Sequence, residues 1–161
     1  MSDVVPTTLC YIKAKVNNED CYLMIHKMRK NDPNKDKYLG IGGHFMEGET
    51  PDECILREIE EETGITIDQM TDLNYRGIIH FISDEYGAED MYLYTSTYME
   101  DPSKVLSHKC IEGELIWYPI AKVKNLPIWE GDKIMFDYLF QEKQNIALTL
   151  VYRGSELIEV R

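Results

Sequence analysis

The chain has 161 residues, enough for one compact domain with a sizeable core, and its 43% apolar content is ordinary for a globular protein. Its formal charge is −12, from 17 basic and 29 acidic side chains, which excludes general binding to nucleic acid because phosphates need a basic footprint. No apolar run is long enough to span a membrane, residues Met1 to Pro6 lack the charged and apolar regions of a signal peptide, and no linker or repeat divides the chain, so a single domain over 1–161 in the cytoplasm is expected.

In chain order, Thr7 to Lys15 and Cys21 to Lys27 are apolar-rich runs joined by the polar turn Asn17-Asn18-Glu19-Asp20, which predicts a β-hairpin. Residues 26–37, HKMRKNDPNKDK, form a locally basic loop that can grip a polyphosphate or be a solvated surface; Lys27, at the strand end, is its best candidate. Gly40-Ile41-Gly42-Gly43 reads as a tight turn whose glycines let backbone approach a ligand. Thr50-Pro51-Asp52-Glu53 is a capping box with proline at the first helical position, and Gly64 is placed to end the helix it starts. Tyr75 to Ser83 and Met91 to Met99 are rich in β-branched and aromatic residues and read as paired strands around the turn Asp84-Glu85-Tyr86-Gly87. Glu114 to Pro119 is a short strand, Asp132 to Lys143 has one apolar helical face, and Ala147 to Tyr152 with Leu157 to Val160 suggest a last hairpin. Strands on both sides of a helix, with a second helix near the end, give an α/β fold: a mixed central sheet packed between helices. Tyr92, Tyr94 and Tyr98 are assignable to core, pocket or a homodimer surface. The cysteines Cys10, Cys21, Cys54 and Cys110 show no CxxC pair, so zinc and disulfide readings are weak.

The chemistry is concentrated in residues 43–65, GHFMEGETPDECILREIEEETGI: glycine, five residues, glutamate, seven residues, then Arg-Glu-apolar-x-Glu-Glu-x-Gly-apolar. This stretch holds eight acids and one arginine, net −7 of the chain's −12, so much of the acidity belongs to one motif. Residues three and four apart share a helix face, which points Glu58, Glu61 and Glu62 the same way, while Cys54, Ile55 and Ile59 make an apolar stripe for a sheet. Three carboxylates together repel, and Glu62 sits where the helix dipole disfavours negative charge. A solvated acidic face is the bland account; a hard divalent cation, Mg²⁺ or Mn²⁺, among oxygen ligands is the sharper one. No nucleophile motif and no P-loop occurs.

Nine fixed positions, Gly43, Glu49, Arg57, Glu58, Ile59, Glu61, Glu62, Gly64 and Ile65, match the signature of the Nudix hydrolases, which this chain resembles over nearly its whole length. The resemblance implies an α/β/α sandwich and hydrolysis of a nucleoside diphosphate linked to another group. It implies that the Gly43 carbonyl joins Glu58, Glu61 and Glu62 around Mg²⁺ (Mn²⁺ as substitute), and that a downstream acid completes the site. Glu112 is the candidate, with Glu114, Glu85 and Glu89 as alternatives. It also implies an Arg57–Glu49 ion pair that orients the metal-binding glutamates, and a glutamate as general base, Glu58 or Glu61.

The run Leu126-Pro127-Ile128-Trp129-Glu130-Gly131-Asp132 before a helix is similar to the MutT-type 8-oxo-dGTP diphosphatases. There a tryptophan stacks on the base and two aspartates bond the purine edge; Trp129 and Asp132 match the tryptophan and the second aspartate, whereas Gly131 stands at the first. A base-reading asparagine falls at Leu39 and a lysine at His44; Leu39 and Gly131 remove polar contacts, so recognition of an oxidised guanine must differ or be weaker. On physical grounds an indole offers a stacking face and an acid accepts from purine N–H groups; helix-entry packing is the competing account. Thr8 and His80 are further pocket candidates. The proline marking ADP-ribose pyrophosphatases and the tyrosine marking diadenosine polyphosphate hydrolases are missing after the motif. The leading expectation is therefore a nucleoside triphosphate pyrophosphohydrolase acting on an oxidised purine. Another nucleotide or nucleotide sugar, and a non-catalytic sensor domain, are the alternatives.

Overall fold

The computed structural model describes residues 3–161; the Met1-Ser2 part of the leader-free reading lies outside them. Strands β1 (Val4–Val16) and β2 (Glu19–Lys27) form the expected hairpin. Its turn is shorter than the sequence suggested. Only Asn17-Asn18 lie outside the strands, with φ of 52° and 65°, the left-handed backbone that a two-residue hairpin needs and asparagine tolerates.

The glycine segment is not a turn. Tyr38–Leu39 (β3) and Ile41–His44 (β4) are extended. Strands β1 and β2 pair only near their turn, from Lys13↔Tyr22 to Val16↔Glu19. Beyond that they diverge and the run from Tyr38 to His44 fills the opening, with Leu39 opposite Ile25 of β2 and Ile41, Gly42 and Gly43 opposite Cys10, Leu9 and Thr8 of β1. The glycines serve close approach: a Cβ at Gly42 would lie 1.9 Å from the Thr8 carbonyl oxygen. Gly42→Ala is accordingly expected to destabilise the protein by about 3 kcal/mol in urea unfolding, the upper range for forced overpacking; an unchanged midpoint would contradict this wedge.

Helix α1 (Pro51–Thr63) starts and stops where the sequence places it. Glu53 N–H donates to Thr50 Oγ1 at 3.2 Å and Thr50 N–H donates to Glu53 Oε1 at 2.9 Å, the reciprocal capping box. Gly64 takes the left-handed C-cap with φ 77°. Long antiparallel strands β5 (Met70–Ser83) and β6 (Gly87–Tyr98) follow, then short helix α2 (Pro102–Leu106) and β7 (Gly113–Pro119), which pairs along β2. Helix α3 spans Glu130–Phe140, beginning and ending two to three residues before the expected Asp132 to Lys143. Strands β8 (Ile146–Arg153) and β9 (Glu156–Val160) form the last hairpin.

All nine strands join one sheet, in which β1–β6 and β5–β8 are parallel and the other pairs antiparallel. Side chains alternate across a strand, and β1 feeds two cores by this rule. Cys10, Ile12 and Ala14 pack with Ile55 and Ile59 of α1. Leu9 and Tyr11 pack with Met135, Phe136 and Leu139 of α3. The result is the expected mixed sheet between helical layers. Tyr94 and Tyr98 are buried in the α1 layer, and Tyr92 is half-buried beside it. No helix among the described residues is long and apolar enough to cross a membrane.

Candidate active site

A cleft of about 720 Å³ runs from β4 and the inward side of α1 to the start of α3. Of the residues singled out from sequence, Thr8, Lys27, Leu39, Gly43, Glu58, Glu62, Glu112, Trp129 and Asp132 line it, as does Glu89 of the alternative downstream acids. Glu61 and His80 do not.

Adjacent helix residues are 100° apart, and Glu61 and Glu62 point to different sides here. Glu62 turns in and is 8% exposed, whereas Glu61 is exposed and bonds Arg57 at 3.1 Å. The i, i+4 pair Glu58 and Glu62 is thus the inward pair. The Cβ that Gly43 lacks would lie 2.7 Å from the Glu58 carboxyl carbon, so only glycine lets this carboxylate sit against the strand. Glu62 Oε2 is buried without a partner. Burial pushes the Glu62 carboxyl up to about 9; Lys27 opposes the shift and the neighbouring Glu58 and Glu112 add to it.

The expected Arg57–Glu49 pair is present and two-pronged, with Nε donating to Oε2 at 2.5 Å and Nη2 to Oε1 at 3.0 Å. Arg57 also reaches Glu58 at 2.9 Å and the His44 carbonyl at 2.9 Å, tying α1 to the end of β4. Its hydrogen bonds hold the Glu49 carboxyl down to about 2. Glu112 bonds Arg29 at 3.3 Å and lies 3.6 Å from Lys27. Among the described residues no three acid, histidine or cysteine side chains are gathered as a ready-made metal cage, because Arg57, Lys27 and Arg29 engage Glu58, Glu61 and Glu112. The donor set nevertheless suits a hard divalent ion: all are oxygens, and Glu62 presents an unpartnered one.

At the other end, Asp132 is buried with Oδ2 unpartnered, and burial raises its carboxyl to about 7, opposed by Lys37. Trp129 donates from Nε1 to Asn34 Oδ1 at 2.6 Å, and the Lys37 ammonium lies 4.8 Å from its ring centre. The basic loop therefore braces the indole as well as facing the acids. Thr8 lies between helix and strand, with Oγ1 3.3 Å from Cys54 Sγ and donating at 3.4 Å to the Gly43 carbonyl. His80 is on the opposite sheet face from its cleft-lining neighbour Phe81, with Nδ1 2.5 Å from Asp90 Oδ1. The pocket candidate is corrected by the two-residue strand period. Arg29, from the basic loop, also lines the cleft, whereas sequence reading missed Phe81, Met91 and Tyr152 as lining residues. Tyr152, in a distant hairpin, carries no local signal of that role.

The NUDIX domain model matches residues 11–139, and the chain belongs to that family. It is 26% identical over 131 residues to the oxidized purine nucleoside triphosphate hydrolase of Danio rerio, covering 81% of this chain and 80% of that protein. It is 24% identical over 149 residues to the Nudix hydrolase YvcI of Bacillus subtilis, covering 91% and 89%. The MutT protein of Bacillus halodurans superposes with a TM-score of 0.74 at 26% identity, over 98% of this chain and 97% of its own. An Ap4A hydrolase of C. elegans shares the fold at TM-score 0.70 and 14% identity, over 86% of this chain and 97% of its own.

Proposed function

We propose that the chain, as one domain, is a Mg²⁺-dependent nucleoside triphosphate pyrophosphohydrolase, with Mn²⁺ as a substitute ion. It releases a nucleoside monophosphate and pyrophosphate, and its preferred substrate is an oxidised purine such as 8-oxo-dGTP. The reading places it in cytoplasmic nucleotide-pool sanitising. The observation that carries it is continuity: Gly43, Glu58 and Glu62 stand at one end of the same cleft that Trp129 and Asp132 wall at the other.

Glu58, Glu62, Glu112 and the Gly43 carbonyl would hold the ion, with Glu61 reached by a side-chain rotation. When bound, a divalent cation supplies charge neutralisation on phosphate oxygens and lowers the pKa of water. The chain's own groups do the rest. Lys27 and Arg29, both in the cleft wall, bind phosphate oxygens. Glu58 is the base that takes the water's proton, since it lines the cleft and Glu61 does not. Arg57 and Glu49 fix where Glu58 stands. Arg57→Ala is expected to weaken Mn²⁺ binding by roughly 10–100-fold, the usual cost of losing a group that orients a ligand; calorimetric titration giving wild-type affinity would remove that role.

The second reading, a Nudix pyrophosphatase on another nucleotide or a nucleotide sugar, is favoured by Leu39 and Gly131, which bring no polar side-chain group to the base end. Pyrophosphate release with Mg²⁺ across 8-oxo-dGTP, dGTP, other dNTPs, NTPs, ADP-ribose and sugar nucleotides decides between them. A kcat/KM for 8-oxo-dGTP well above that for dGTP supports the first. Preference for a different nucleotide supports the second, and no turnover of any of them would sink both.

A further inference from the structure

The base end of the cleft holds a polar group that Trp129 and Asp132 do not account for. Tyr152 of β8 lines the cleft, is 5% exposed, and meets the Trp129 ring edge-on at 5.3 Å between centroids. Its Oη accepts the Gly131 N–H at 2.7 Å. Gly131 makes this possible: a Cβ there would lie 2.7 Å from Tyr152 Oη and 2.6 Å from Leu150 Cδ1. The hydroxyl therefore occupies the space a side chain at 131 would claim.

A phenol oxygen that accepts from a backbone amide still carries its own proton. Among the described residues no hydrogen bond uses the Tyr152 hydroxyl as donor. Burial pushes that hydroxyl up to about 12, so it remains a donor near neutral pH. Asp132, one residue beyond Gly131, brings its unpartnered Oδ2 to the same cleft. The neighbouring lining side chains Leu9, Phe81 and Met91 are apolar. Glu89 also lines the cleft, with its Oε2 already accepting from Thr7 Oγ1 at 2.7 Å, so Tyr152 and Asp132 bring a free donor and a free acceptor beside an apolar floor.

Resting on the triphosphate-hydrolase reading above, we propose that Tyr152 is a specificity-determining residue: its hydroxyl donates to the 6-oxo group of a purine while Asp132 accepts from the adjacent ring N–H. A 6-oxopurine offers that acceptor and donor side by side, and a 6-aminopurine reverses both. A polar site built for one pattern discriminates strongly against its inverse, because the mismatched groups are left unpaired.

The test is Tyr152→Phe, which keeps the ring and removes the hydroxyl. The ratio of kcat/KM for dGTP, dITP and 8-oxo-dGTP to that for dATP is expected to fall about tenfold, the worth of one hydrogen bond, mainly through KM. Calorimetric binding of dGMP against dAMP should show the same loss of preference without requiring turnover. An equal loss for both purine classes marks Tyr152 as packing only and overturns the proposal, as does an unchanged ratio. Should the variant fail to fold, the wild type decides: no preference for dGMP over dAMP overturns it. Absence of turnover on every purine triphosphate counts against the hydrolase reading, while monophosphate binding still judges Tyr152 separately.

Discussion

Replacing Glu62 by glutamine is expected to cut turnover about a thousandfold, because metal stabilisation of phosphate charge is worth several kcal/mol and each 1.36 kcal/mol is tenfold in rate. The same change should leave the metal-free fold at least as stable. Glu62 is buried, Oε2 is unpartnered, and the carboxyl is pushed from its ordinary 4.5 up to about 9. An acid raised in this way holds more protons folded than unfolded between those two values. Stability of the metal-free wild type therefore falls as pH rises from about 4.5 towards about 9, and Glu62→Gln should abolish the Glu62 share of that slope. Melting temperatures in chelator at pH 5 and pH 8, paired with pyrophosphate release in Mg²⁺, check both halves. Asp132, raised to about 7, adds a slope of the same sign that persists in the variant, so the Glu62 share is the difference between the two proteins. Near-wild-type turnover would remove Glu62 from the metal site.

The second large effect is expected at the base end. Asp132→Asn should lower kcat/KM on the preferred purine by roughly 10–100-fold, the range for losing a hydrogen bond to a charged group. Burial holds Asp132 at about 7, so the carboxylate form that accepts an N–H is lost as pH falls through that value. In the wild type kcat/KM should rise with pH around 7, and in the variant that inflection should vanish. A profile identical in both proteins would assign the inflection to another group and Asp132 to helix-start packing.

What the sequence made legible was whatever local rules govern. Thr50, Pro51, Glu53 and Gly64 specify the ends of α1 through their own hydrogen bonds and backbone preferences, and the helix lies where they put it. The apolar run Thr7 to Lys15 marked β1 as a strand, but that its alternate side chains feed two separate cores shows only in the structure. The glycine segment was misread because its conformation is imposed from outside: Ile41 to Gly43 form a strand where β1 and β2 part and leave a slot. Spacing put Glu58, Glu61 and Glu62 on one face, but it could not show that Arg57 would draw Glu61 outward while Glu62 turned in. Helix α2 and the 3₁₀ turns at Ile67–Gln69 and Ile120–Asn125 are too short to show a period. Tyr152 became visible only through the space beside Gly131.

The slot between β1 and β2 also sets a length. Leu39 and Gly43 both line the cleft and lie on the run that fills this slot, four residues apart in the chain, or about 13 Å along an extended backbone. Their separation is held by hydrogen-bonded ladders, Leu39 on β2 and Gly43 on β1, rather than by a loop. On the proposed reading the cleft works as a ruler, in which the scissile bond is chosen by its distance from the base. Lengthening the polyphosphate chain would then change the leaving group and leave the point of cleavage where it was.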